Sequence, residues 1–102
     1  MKISDILSSD DKWTRNAFAR DRYGEACDAQ ADGAVCWCLE GAMDKAEYPE
    51  ECYQDIRNAM YALFPSRMAQ YNDREVEVVS SFNDDPLTTF GDIRRVLKQA
   101  GH

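Results

Sequence analysis

Apolar residues recur at three- and four-residue intervals over several stretches of this chain, and the most regular stretch is GAVCWCLEGAMDKA, residues 33–46. Val35, Cys38, Leu39, Ala42, Met43 and Ala46 share one side at about 100° per residue, with Glu40 and Asp44 opposite, which predicts an amphipathic helix. Asp32 stands just ahead as its N-cap. On this reading Cys38 points inward and Cys36 sits at the edge of the stripe. Trp37 projects toward the polar side beside Gly41, whose missing side chain lets another backbone approach closely. Either a further segment covers Trp37, or Trp37 anchors a partner, a role in which tryptophan is enriched.

Ile3, Ile6 and Leu7 predict a short first helix, broken by Ser8–Asp11. Lys12–Arg20 reads as a strand with imperfect alternation. Asp21–Gly24 is a turn signal with Gly24 suited to a left-handed position, and Glu25–Asp28 is the return strand of a hairpin. A second helix is expected over 49–63, its inner face made of Cys52, Tyr53, Ile56, Ala59, Met60 and Leu63. Glu50 and Glu51 suit its positive end, and Pro65 forces a stop at Phe64. Joined by a short connection, the helices over 33–46 and 49–63 are expected to pack as an antiparallel hairpin. Residues 66–74 carry no clear pattern. The valine-rich run from Glu75 predicts a third short strand at 75–80, with a helical turn as the alternative. Asn83–Pro86 is a break. Thr88 or Thr89 then caps a last helix, Thr89 and Asp92 having the spacing of a capping box. Its buried stripe is Phe90, Ile93, Val96, Leu97 and Ala100, while Arg94, Arg95 and Lys98 complement the negative end of the dipole.

These elements predict an α+β fold of about four helices. They surround the central helix at 33–46, packed by those at 49–63 and 88–100, with an N-terminal β-hairpin and the third strand. The 102 residues are the length of one domain. No apolar run approaches the roughly 18 residues of a membrane span. The N-terminus lacks an uninterrupted apolar region, so no secretory signal is expected. Four cysteines without a signal read as reduced cytoplasmic thiols.

The formal net charge of −7 argues against a sequence-independent grip on nucleic acid and suits a basic protein partner. Charge is uneven. Residues 40–55 hold six acids (Glu40, Asp44, Glu47, Glu50, Glu51 and Asp55) and one base, Lys45; residues 12–22 hold four bases and one acid. With Trp37, the acids Glu40, Asp44, Glu47, Glu50 and Glu51 are the candidate partner-binding set.

Catalytic chemistry is harder to find. A zinc finger or ribbon pairs ligands two to four residues apart on turns. Here the close pair is Cys36-x-Cys38, and within a helix those side chains diverge by about 200°, so no metal or cofactor is expected. Cysteine nucleophiles need a base, and the single histidine is His102, at the chain end, where order is usually poor. Cys36, near the expected helix N-terminus, is the one place where a thiol could be activated without histidine. Asp84 and Asp85 read as turn residues bonding the local backbone. No catalytic residue is assigned.

Three motifs stand in order: W-T-x-N-A-F-A-R-D-x-x-G (Trp13–Gly24), W-C-L-x-G-A (Trp37–Ala42) and F-N-D-x-P-x-T-T (Phe82–Thr89). Together they resemble a family of small domains of unknown function from bacteria and their phages, over nearly the whole chain. In that family the second motif usually carries one cysteine, matching Cys38. The resemblance implies that Trp13, Arg20, Asp21, Cys38, Asn83, Asp84 and Thr88 meet in space, as structural glue or as a site, with Arg20 and Asp84 as an ion pair. It implies no known activity. Three functions are therefore carried forward. The first is a non-enzymatic module, phage or mobile-element encoded, that binds a host or bacterial protein such as a defence complex, with homo-oligomerisation left open. The second is a small enzyme or ligand-binding domain using the Arg20/Asp21/Cys38/Asn83/Asp84 cluster. The third is an acidic mimic of nucleic acid built on residues 40–55.

Overall fold

The computed structural model of the chain describes residues 2–48, 50–71 and 78–102. It divides into two compact units, residues 1–48 and 49–102.

The first unit holds helix α1 (Ile3–Ile6), a 3-10 turn at Asp10–Lys12, strands β1 (Ala19–Asp21), β2 (Ala26–Cys27) and β3 (Ala34–Trp37), and helix α2 (Leu39–Lys45). The strands form one antiparallel sheet in the order β2-β1-β3. Ala19 faces Cys27 on one side and Trp37 on the other, and the ladder bulges between Arg20 and Asp21. Gly24 closes the β1–β2 turn at φ +81°, the left-handed conformation open to a residue without Cβ. The expected hairpin is thus present, although only the end of the 12–20 stretch is strand. Trp13 contributes a separate bridge to Trp37.

The helix expected over 33–46 is two elements. Residues 34–37 are strand β3, and the helix starts only at Leu39. In a run this short, helical spacing and a half-buried strand are easily confused. Val35 and Trp37 lie on one face of β3, and Val35 is 40% exposed, so it belongs to no buried stripe. The later positions keep the expected pattern: Leu39 and Ala42 are fully buried. Asp32 therefore caps nothing here. The N-cap is Cys38, whose sulfur accepts the Gly41 N–H at 3.2 Å. The core of this unit is Ile3, Ile6, Leu7, Ala19, Ala29, Cys38, Leu39 and Ala42.

The second unit holds α3 (Glu50–Leu63), α4 (Pro65–Ala69), α5 (Val78–Asp84) and α6 (Phe90–Ala100). In α3, Cys52, Ile56, Ala59 and Met60 are buried, as the spacing predicts, and the helix packs against α6, α4 and α5. Pro65 does end α3, but it also starts α4 as its first residue, the position where a missing N–H costs nothing. The third strand expected at 75–80 is corrected in part. Residues 75–77 lie outside the described residues, and Val78–Asp84 is helical, burying Val78, Val79, Phe82 and Asn83. That four-residue rhythm outweighs the strand preference of valine, which is a weak prior once packing intervenes. Helix α6 opens with the expected capping box: Thr89 Oγ1 accepts the Asp92 N–H, and Asp92 accepts the Thr89 N–H. Among the described residues no helix is long and apolar enough to cross a membrane.

Candidate functional site

The residues expected to meet fall in both units: Trp13, Arg20, Asp21 and Cys38 in the first, Asn83, Asp84 and Thr88 in the second.

In the first unit their side chains hold the irregular backbone around the sheet. Arg20 donates from Nε to Thr14 Oγ1 at 3.0 Å, from Nη1 to the Gly24 carbonyl at 3.0 Å and from Nη2 to the Arg15 carbonyl at 3.1 Å. One guanidinium thereby ties the segment before β1 to the hairpin tip, as its fixed fork of donors allows. Asp21 Oδ1 accepts from the backbone N–H groups of Tyr23 and Glu25, shaping the turn. Trp13 carries the Arg15 guanidinium 4.5 Å from its ring centre. Cys38 is 6% exposed and caps α2. Cys36, expected near a helix N-terminus, lies on β3, its thiol 3.9 Å from the Arg20 carbonyl oxygen.

In the second unit the organising cation is Arg67, which the sequence pattern did not single out. Its Nη1 donates to Thr88 Oγ1 at 2.8 Å and lies 3.9 Å from Asp92. Its guanidinium covers the Phe64 and Phe82 rings at 5.0 and 5.4 Å, and those rings sit 5.2 Å apart. Thr88 is fully buried, so its hydroxyl needs this partner. Asn83 is buried and donates to Asp84. Asp85 accepts from the Leu87 N–H and from the Tyr71 hydroxyl. Burial, and then the Asp85 carboxylate, push the Tyr71 phenol far above its ordinary value. Local sequence signals do not reach such a cluster, because Arg67 and Thr88 are 21 residues apart.

The last residues close helix α6 and reach back to α3. Gly101 is left-handed at φ +79°, the His102 N–H donates to the Leu97 carbonyl, and His102 Nε2 lies 2.9 Å from Asp55 Oδ2. A cavity of about 310 Å³ nearby is lined by Asp55, Asn58, Ala59, Ala62, Gln99 and Ala100. Cys52 precedes Asp55 by one helical turn, and its thiol is pushed up by burial and then by the Asp55 charge. That is the reverse of an activated nucleophile. Cys27 is raised too, first by desolvation and then by Asp21.

Of the candidate partner-binding residues, Trp37 is half-buried and its indole N–H donates to the Ala29 carbonyl at 2.9 Å. Glu47 is exposed, as are Glu50 and Glu51 in the second unit. Glu40 and Asp44 line an open cavity of about 400 Å³ in the first unit, together with Phe18, Asp28 and Ala29. Phe18 and Asp28 stand outside the candidate set drawn from the sequence, in which both read as residues of the hairpin strands. The Phe18 ring is 59% exposed. Neither cavity is lined by Trp13, Arg20, Asp21 or Cys38. Among the described residues no group of three or more His, Cys, Asp or Glu side chains is arranged to hold a metal ion.

No curated protein and no solved structure matches the chain. A family match covers residues 2–102, which takes in the whole stretch from Trp13 to Thr89. The chain belongs to the family of unknown function DUF6197.

Proposed function

We propose that this chain is a non-enzymatic protein-binding module whose contact surface is the acid-lined cavity of the first unit. The observation that carries the reading is the Phe18 ring, 59% exposed beside Asp28, Glu40 and Asp44. Aromatic residues, phenylalanine among them, are enriched at protein interfaces relative to the rest of the surface. The polar residues of the motifs support the non-enzymatic half: Arg20, Asp21 and Cys38 each hold a backbone segment or a helix end, and the buried Thr88 hydroxyl accepts from Arg67. The partner in this reading is a host or bacterial protein, as the phage and bacterial setting of the resemblance implies. The test is affinity capture from lysates of candidate hosts with wild type and Phe18→Ala side by side. A stoichiometric partner retained by wild type and lost with Phe18→Ala is the expected result. Failure to retain any partner across several hosts would count against the reading.

A further inference from the structure

We infer that the cavity at Phe18 is a receptor for an arginine side chain presented by a basic segment of the partner. This rests on the protein-binding reading above and names the group recognised. The argument begins with rigidity. The Phe18 carbonyl accepts the Cys38 N–H at 3.1 Å, and it lies where a Cβ at Gly41 would stand, that Cβ being only 2.8 Å from the Phe18 carbonyl carbon. The next residue, Ala19, is fully buried. The main chain at 18 is thus wedged against the start of α2 while its ring is left in solvent. The facing wall is held equally firmly. The Trp37 indole donates to the Ala29 carbonyl at 2.9 Å, Gln30 Nε2 donates to the Asp44 carbonyl at 2.7 Å, and Asp28 Oδ1 accepts the Gln30 N–H at 2.9 Å. Little backbone ordering remains to be done on binding, which favours affinity.

The occupant follows from the chemistry of the lining. An apolar floor of Phe18 and Ala29 with carboxylates at Asp28, Glu40 and Asp44 repels anions and suits a cation with an apolar stem. Arginine fits better than lysine, because its planar guanidinium stacks on an aromatic face and donates two parallel N–H bonds to a single carboxylate. The chain's net charge of −7 adds long-range attraction for a basic segment.

The test is a two-dimensional NMR titration of the whole chain with an acetylated, amidated Ala-Arg-Ala-Arg-Ala peptide and its citrulline counterpart, which keeps the shape and removes the charge. Saturable shifts confined to residues 18, 28–30 and 40–44 are expected, with the citrulline peptide binding roughly tenfold more weakly. Phe18→Ala and the pair Asp28→Asn with Asp44→Asn should each weaken arginine binding about threefold or more. Phe18 and both aspartates are exposed, and asparagine keeps the oxygen that accepts the Gln30 N–H, so the fold is retained. Equal binding of the citrulline peptide, or shifts scattered over 40–55 without saturation, overturns the site. A macromolecular partner captured regardless of Phe18→Ala overturns the site and the cavity as contact surface, and leaves a protein-binding module that uses another face. Arginine binding at the cavity with no macromolecular partner in any host overturns the reading and leaves the site.

Discussion

Gly41→Ala should destabilise the protein although alanine is the better helix former. Gly41 lies inside α2, and in a helix interior the change ordinarily gains about 1 kcal/mol. Here the added methyl group overlaps the Phe18 carbonyl oxygen and stands 2.8 Å from its carbonyl carbon. Both are backbone atoms, so no side chain can swing aside. The 17–19 segment must retreat by on the order of 1 Å, the expected scale when a packed core is overfilled. That retreat breaks the Cys38 N–H bond to Phe18, worth about 1 kcal/mol, and unseats Ala19 from its fully buried position. With the helix gain set against these losses, the net cost is about 1–3 kcal/mol. For a chain of this size it lowers Tm by roughly 5–20 °C. Urea and thermal unfolding followed by circular dichroism measure it. Gly91→Ala is the control: it lies in α6, and its added carbon meets only Thr89 Oγ1 at 3.5 Å, so it should gain up to about 1 kcal/mol. A Gly41→Ala variant as stable as wild type would refute the close approach of the Phe18 backbone to α2.

The remaining predictions concern the core, a cap and pH. Leu39 is fully buried, so Leu39→Asp should cost several kcal/mol against a total of about 5–15 and leave no cooperative transition in urea; a soluble variant with such a transition would overturn the placement. Thr89→Ala removes the acceptor of the Asp92 N–H and should cost about 1 kcal/mol in the same assay, whereas Thr89→Ser should be near neutral. Tyr71 titrates higher in the folded chain than its ordinary 10.0, so its contribution is complete below about pH 10 and lost as pH rises through the folded value. Urea midpoints should therefore fall in strong alkali, and the deficit of Tyr71→Phe, about 1 kcal/mol near neutrality, should shrink there; a deficit that grows with pH would show the sign to be wrong.

The helices that were legible in the sequence are those where burial alone sets the period. In α3 and α6 the positions spaced three and four apart are the buried ones, and the Thr89–Asp92 box announces itself locally. The stretch at 33–38 misled because Val35 and Cys38 happen to fit the stripe that Leu39 and Ala42 continue. Only the pairing of Ala34–Trp37 with β1 decides for a strand, and pairing across the chain leaves no local trace. The Gly41 close approach was legible, since glycine inside a helical pattern needs a reason, but not that Phe18 would be the neighbour. The site was less legible still. Phe18, Asp28 and Asp44 come from three separate stretches, and the ring's exposure depends on a backbone contact with α2.

The thiol-reactivity profile of the folded chain tests the central claim most directly, namely that Cys38 is a helix cap inside a core and not a reagent. Alkylation with iodoacetamide, read residue by residue by mass spectrometry, should modify half-exposed Cys27 and Cys36 in the folded state. Cys38 and Cys52 are buried and should react only through opening of the fold, on the order of a thousandfold more slowly than in denaturant. A Cys38 that reacts in the folded protein as fast as an unfolded thiol, or faster, would contradict the account.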